Sequence, residues 1–203
     1  MDWSIIQQSR DLAKGRFPRA LKLPIVPDQF TLILKSLKAD TKVLDIGAND
    51  RRLEKVIWEN FGAIHYKSLD ADRRLPHDYY DFEEITEKFN LIACLDVVEH
   101  LEPDVVFQLL AKAFHRLDDP GTMFVSTPNV FHPTWLRRDC THRTYFHYDE
   151  LAGMLLSVGF KQIQVFRIGR LDWKGRLAYP FYKPLLKMLD LDYATSIMIR
   201  AEK

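Results

Sequence analysis

The chain has 203 residues, enough for one domain with a proper core and too few for a second of useful size. Hydrophobic residues make up 47% and charged residues 28%, and the net charge is +1, so nothing draws the molecule as a whole to nucleic acid or anionic lipid, and any such attraction would have to come from a local patch. The two cysteines, Cys94 in an apolar run and Cys140 in a polar stretch, make no disulfide framework. Residues 1–20 contain no apolar leader, and no window approaches 18 uninterrupted apolar residues. The expectation is a cytoplasmic protein with no transmembrane segment.

In chain order, residues 3–14 have helical spacing, with Trp3, Ile6 and Leu12 able to share a face. Pro18, Pro24 and Pro27 then break the chain into an irregular connector, and Pro27-Asp28 opens a second helix carrying Phe30, Ile33, Leu34 and Leu37. Val43, Leu44 and Ile46 form a short buried strand that ends at Gly47. Helical spacing returns over 51–60, a strand over 64–69 ends at Asp70, and Leu91–Leu95 form a third strand. Pro103 starts a helix through 116. A strand over 121–129 is followed by a loop of about 20 residues, long enough to suspect function. A helix stops at Gly159, a strand follows over 161–169, and a last strand covers 195–203. Such alternation of strand and helix implies a mostly parallel sheet covered on both faces.

In such a sheet ligands sit beyond the carboxyl ends of the strands. The first strand ends in LDIGAND, where a glycine lets backbone approach a ligand and the next helix offers free N–H groups. Asp70 lies 23 residues after Gly47 and ends the next strand, a spacing that suits hydrogen bonds to both hydroxyls of a ribose. Glycine turn plus acid reads as a nucleoside-binding pair.

The runs KVLDIGAND, YKSLDAD, FNLIACLDVVEHL, LDDPGTMFVSTPN and HRTYFHYDELAGMLLSVGF, in that order and spacing, resemble the class I S-adenosylmethionine-dependent methyltransferases. The branch most similar holds ubiquinone-pathway O-methyltransferases and many methyltransferases of glycan and natural-product pathways. The similarity covers roughly residues 30–168, and TSIMIRAEK resembles the family's last antiparallel strand. It implies an α/β, Rossmann-like, doubly wound fold with seven strands, the last antiparallel, and helices on both faces. The expected layout is one methyltransferase domain over 1–203: an N-terminal helix and connector (1–29), a cofactor-binding core (30–168), and an insertion with the last strand (169–203).

By position, the resemblance implies that Gly47, Ala48 and Asn49 face the methionine part of S-adenosylmethionine, that Asp70 holds the ribose, and that Ala71, Asp81 and Phe82 lie by the adenine. Leu95, Asp96 and Val97 would line the cofactor near its sulfonium. Asp45, inside the buried run, is expected either to hold the turn through backbone hydrogen bonds or to support the cofactor. After transfer S-adenosylhomocysteine leaves. The acceptor would be a small molecule, a glycan or a lipid-linked compound; nucleic acid is not favoured by the near-zero charge. Oligomeric state cannot be read from the sequence.

One departure stands out. The family's turn has glycine at alternate positions, and here those positions are Gly47, Asn49 and Arg51. Asparagine tolerates left-handed backbone, whereas Arg51 implies a side chain pointing outward or an altered loop. This motivates a second reading, a catalytically inactive methyltransferase-like binding module. A nicotinamide oxidoreductase would need a fuller glycine fingerprint and a Tyr–Lys pair, and neither is present.

Asp96, Glu99 and His100 stand at i, i+3 and i+4, and a helical turn there would put them on one face; His142, after the next strand, could join them. Two carboxylates and two histidines can ligate a divalent ion, an arrangement that resembles the metal site of small-RNA 2′-O-methyltransferases. This gives a third reading, a metal-assisted O-methyltransferase. Without metal, His142 or His100 would serve as general base. The loop 131–148 also carries His132, Arg143, Tyr145 and His147 and is expected to contact the acceptor. Residues 173–189 mix rings, aliphatics and lysines, a composition open to a lid, a dimer contact or a membrane-surface segment; Pro180 and Pro184 argue against one long amphipathic helix and favour a packed insertion.

Overall fold

The computed structural model describes residues 3–203, without the side chains of residues 3–6, 136 and 137. The expected pairing of Trp3 and Ile6 with Leu12 lies outside the described residues. The elements in order are α1 (Trp3–Ala13), β1 (Ile25–Val26), α2 (Phe30–Ser36), β2 (Lys42–Ile46), α3 (Arg52–Phe61), β3 (His65–Leu69) and β4 (Phe89–Leu95). Then come α4 (Pro103–Arg116), β5 (Leu117–Pro128), α5 (Tyr148–Val158), β6 (Gln162–Ile168), α6 (Trp173–Met188) and β7 (Ser196–Glu202).

The seven strands make one sheet in the order β1-β6-β7-β5-β4-β2-β3. Pairing is parallel except at β7, which runs antiparallel to both β5 and β6. Successive residues of each central strand point to opposite faces and feed two cores. Leu44, Ile92, Cys94, Met123, Val125 and Ile199 pack with Val106 and Leu110 of α4 and Leu151 and Leu155 of α5. Their neighbours Val43, Leu91, Ala93, Phe124 and Met198 pack with Ile33 of α2 and Leu53 and Ile57 of α3. The sheet is therefore covered on both faces, as the unbroken apolar runs require.

Three expectations are corrected. The connector around Pro24 is not wholly irregular, because Ile25–Val26 supply the seventh strand at the sheet edge. Pro24 O accepts the Arg167 N–H at 2.8 Å and Val26 O accepts the Gly169 N–H at 3.0 Å. An edge strand needs its own donors on one side only, so prolines at 24 and 27 are tolerated around it. Residues 173–188 form one helix in spite of Pro180 and Pro184. Both prolines lie on its exposed side, where the carbonyls they leave unpaired remain open to water. The second helix begins at Phe30 rather than at Pro27, with the Asp28 carboxylate accepting the Thr31 N–H at 2.8 Å.

Candidate active site

In the sheet, β3 lies on one side of β2 and β4 on the other. The chain reverses direction across the sheet there, which opens a crevice outside the carboxyl ends of β2 and β4. Gly47 leaves β2 with φ +72°, and a Cβ on it would stand 2.3 Å from Val97 Cγ2, so the loops after β2 and β4 touch. The Gly47 and Ala48 N–H groups donate to Leu69 O at 2.8 and 3.3 Å, and the Asn49 N–H donates to Asp70 Oδ2 at 2.8 Å. Asp70 Oδ1 accepts the Asp72 N–H at 2.9 Å. Each Asp70 oxygen thus keeps a lone pair for a ligand hydroxyl.

Asn49 (φ +43°) and Arg51 (φ +56°) share the left-handed conformation of Gly47. The loop keeps the backbone that alternating glycines would give, without two of the glycines. The Arg51 guanidinium is held 2.7 Å from Glu54 and 3.5 Å from Asp78, and lies 5.6 Å from the centre of the Tyr66 ring. Of the two options open for Arg51, the side chain has been led into an ion cluster and the turn preserved.

Asp45 is buried, and its Oδ2 accepts the Tyr66 hydroxyl at 2.6 Å. Burial raises its pKa to about 7, opposed by the Tyr66 hydrogen bond and reinforced by the charge of Asp70. Ala71 is exposed beyond β3. Asp81 caps the short turn Phe82–Glu84 by accepting the Glu83 N–H at 3.2 Å, and Phe82 packs on the larger core. Leu95 ends β4, and Asp96 follows with φ +54°. The Asp96 N–H and Oδ1 both meet Ser126 Oγ, at 3.0 and 2.9 Å, and Ser126 Oγ also reaches Gln29 at 3.2 Å. Surrounding protein raises the Asp96 pKa, against the hydrogen bonds of Ser126 and Gln29 and the nearby His100 and His142.

After Val97 the chain makes a 3-10 turn, Val98–His100. Glu99, His100 and His142 converge there, their ligand atoms within 4.8 Å of one another. The loop that brings His142 is stapled to the turn: Glu99 O accepts the N–H groups of Arg143 (2.7 Å) and Thr144 (3.0 Å), and Thr144 Oγ1 donates to Leu101 O at 2.7 Å. The His100 and His142 rings meet edge to face with centroids 5.0 Å apart. His100 Nδ1 lies 2.9 Å from Thr141 Oγ1, and Asp139 lies 4.0 Å from His142 Nε2. The Glu99 side chain is buried with Oε2 lacking a hydrogen-bond partner, and burial pushes its pKa up to about 8. Asp96 does not join these three in the cluster. Its left-handed backbone precedes the turn, and its Oδ1 is held by Ser126 Oγ.

The remaining loop histidines do other work. His132 Nδ1 accepts the Trp135 N–H at 3.0 Å, and His147 is the N-cap of α5, in a capping box with Glu150. Neither Glu99 nor His100 caps α4, whose N-cap is Glu102. Sequence reading missed a cleft of about 730 Å³ beyond the carboxyl ends of β1 and β6, lined among others by Val26, Asp28, Arg170, Arg176, Tyr179 and Tyr193. Its residues come from three distant segments, and no local motif marks them.

A family model described as a methyltransferase domain matches residues 17–165. A comparison with curated proteins found no match. The fold is similar to that of a solved S-adenosylmethionine-dependent methyltransferase from Archaeoglobus fulgidus, at TM-score 0.70 and 17% identity over 100% of both chains. It is also similar to phosphoethanolamine N-methyltransferase 2 of Haemonchus contortus (TM-score 0.60, 15% identity, 98% of this chain and 56% of that one). A Mesorhizobium loti S-adenosylmethionine-dependent methyltransferase aligns with 85% of this chain and 96% of its own at TM-score 0.57 and 16% identity. At such identities the structural likeness speaks for the fold.

Proposed function

The chain belongs to the S-adenosylmethionine-dependent class I methyltransferases, and from that premise we propose that it methylates a small-molecule, glycan or lipid-linked acceptor at the crevice between β2 and β4. The observation that carries this reading is the run of left-handed residues at 47, 49 and 51, facing Asp70 across a hydrogen bond from Asn49. Bound there, S-adenosylmethionine supplies a methyl carbon made electrophilic by its sulfonium. Asp70 accepts the ribose hydroxyls, Gly47 to Asn49 line the methionine part, and Ala71, Asp81 and Phe82 lie on the adenine side. Leu95, Asp96 and Val97 border the reacting methyl. The protein aligns acceptor and methyl and excludes water, and His142 or His100 takes the proton of an oxygen or nitrogen nucleophile.

The inactive-module reading draws its motive from Asn49 and Arg51. Both keep the left-handed backbone, which weakens that motive. A metal-assisted reading is favoured by one observation: Glu99 Oε2 is buried without a partner beside His100 and His142. Ligands about 2.1 Å from an ion stand at most about 4.2 Å apart, so a small closure of these atoms would suffice. Glu99, His100 and His142 would hold the ion, whose chemistry would be to acidify an acceptor hydroxyl.

Calorimetric titration with S-adenosylhomocysteine, with and without chelator and added magnesium, tests both readings. One-to-one binding abolished by Asp70→Ala is expected. A folded protein that does not bind it sinks the active-enzyme reading and leaves the binding module.

A further inference from the structure

We propose that α6 is a docking surface for an anionic lipid bilayer. The helix has two apolar lines on nearly opposite sides. Tyr179, Tyr182 and Leu186 are half-buried on the inward side, and Tyr179 meets Tyr193 edge to face at 5.2 Å. The other line, at three- and four-residue spacing, is Trp173, Leu177, Phe181, Leu185 and Met188. Nothing among the described residues covers it: Phe181 is 86% exposed, Met188 72%, Trp173 and Leu177 67% each, and Leu185 50%. Scattered exposed apolar residues are ordinary, but five in a single line along one helix face form a contiguous patch, which marks an interaction site.

Charge identifies the occupant. Residues 173–189 contain Lys174, Arg176, Lys183 and Lys187 and no acidic residue. Asp172, just before them, is engaged in capping, its Oδ1 accepting the Gly175 N–H at 2.7 Å. An aromatic and aliphatic face flanked by lysine and arginine alone is the chemistry of a helix lying in the headgroup region of an anionic leaflet. A two-fold contact between copies would instead bring two like-charged flanks together. No helix among the described residues is long and apolar enough to cross a membrane, and α6 would lie on the surface. The chain's net charge of +1 hides this local asymmetry. Arg176 and Tyr179 of the helix line the cleft beyond β1 and β6, on the side of α6 turned away from the exposed line. The proposal stands independently of the acceptor and of turnover.

The test is flotation of the full chain with vesicles of phosphatidylcholine alone or mixed with phosphatidylglycerol, with light scattering of the free protein. Two double variants accompany it, Leu177→Asp with Phe181→Asp and Lys183→Glu with Lys187→Glu, each checked for folding by circular dichroism. Binding to the mixed vesicles, weakened by salt and reduced about tenfold or more by either variant, is expected. Failure of the wild type to bind the mixed vesicles, or binding that neither variant changes, overturns the proposal. So does a dimer that the Leu177→Asp, Phe181→Asp variant splits without vesicle binding, since a second copy would then own the face.

Discussion

Gly47 and Val97 meet so closely that a single added carbon on Gly47 would stand 2.3 Å from Val97 Cγ2. This contact fixes the distance between the loops after β2 and β4, the two walls of the switch crevice. Gly47→Ala meets that clash and the left-handed φ of +72° together. A left-handed alanine alone costs about 1–2 kcal/mol, and the overlap adds to it. The variant is expected to lose S-adenosylhomocysteine affinity at least tenfold and several degrees of Tm. Unchanged calorimetric binding would mean that the loop carries no part of the cofactor site.

Asp45 gives a pH dependence whose sign is set by burial. Its carboxyl has a folded-state pKa of about 7, against an unfolded value near 3.9. The stability this group contributes is fully present below about pH 4 and is lost as pH rises through about 7, because the folded state holds a proton that the unfolded state releases. Three pKa units correspond to at most about 4 kcal/mol. Asp45→Asn removes the titration, so its Tm should gain on the wild type steadily between pH 4 and 7. Parallel Tm curves for the two proteins over that range would show that Asp45 ionises freely.

Glu99→Gln separates a ligand from a packing residue. If Glu99, His100 and His142 hold a divalent ion, manganese at about 100 times its Kd adds about 2.7 kcal/mol to the wild type. The gain should vanish in Glu99→Gln and in His142→Ala, read as a thermal shift with and without manganese. A wild type whose Tm ignores manganese and magnesium returns His142 and His100 to the role of proton acceptors.

What the sequence disclosed follows from how local each signal is. Val43 to Ile46, Leu91 to Leu95 and 196–202 are apolar runs, and the structure makes each a sheet strand. Gly47 and Asp70 lie at a spacing fixed by one βαβ unit, and the turn that Gly47 opens meets Asp70 through the Asn49 N–H. β1 stayed hidden because two residues between prolines carry no periodicity. α6 stayed hidden because a proline normally ends a helix, and only tertiary placement shows that Pro180 and Pro184 face water. Asp96 was grouped with Glu99 and His100 on helical spacing, but the left-handed backbone at Asp96 breaks the register before the turn begins.

Close helix contact makes a further prediction, at Gly153 in α5. A Cβ there would lie 2.0 Å from the Ser9 carbonyl oxygen of α1, and Ser9 Oγ and Ser157 Oγ lie 3.0 Å apart beside it. A backbone atom cannot rotate away as a side chain can, so Gly153→Ala must push α1 off α5 at a cost of about 1–3 kcal/mol. Chemical denaturation should show the loss. A variant as stable as the wild type would mean that α1 does not lie against α5.

Arg51 tests whether the left-handed turn is held by the fold or chosen by the residue. Arg51→Gly and Arg51→Ala both remove the contacts to Glu54, Asp78 and Tyr66, so these lost contacts cancel when the two variants are compared. What remains is the cost of a Cβ at φ +56°, about 1–2 kcal/mol for alanine, less the entropy that glycine loses on ordering, about 0.5–1 kcal/mol. The glycine variant should therefore be the more stable, by up to about 1.5 kcal/mol, in urea denaturation. It should also bind S-adenosylhomocysteine at least as tightly as the wild type, because the loop's backbone is already that of a glycine turn. An alanine variant equal to or more stable than the glycine variant would mean that residue 51 relaxes out of the left-handed region once the arginine contacts are gone. Its conformation would then be imposed by Glu54 and Asp78 rather than by the turn.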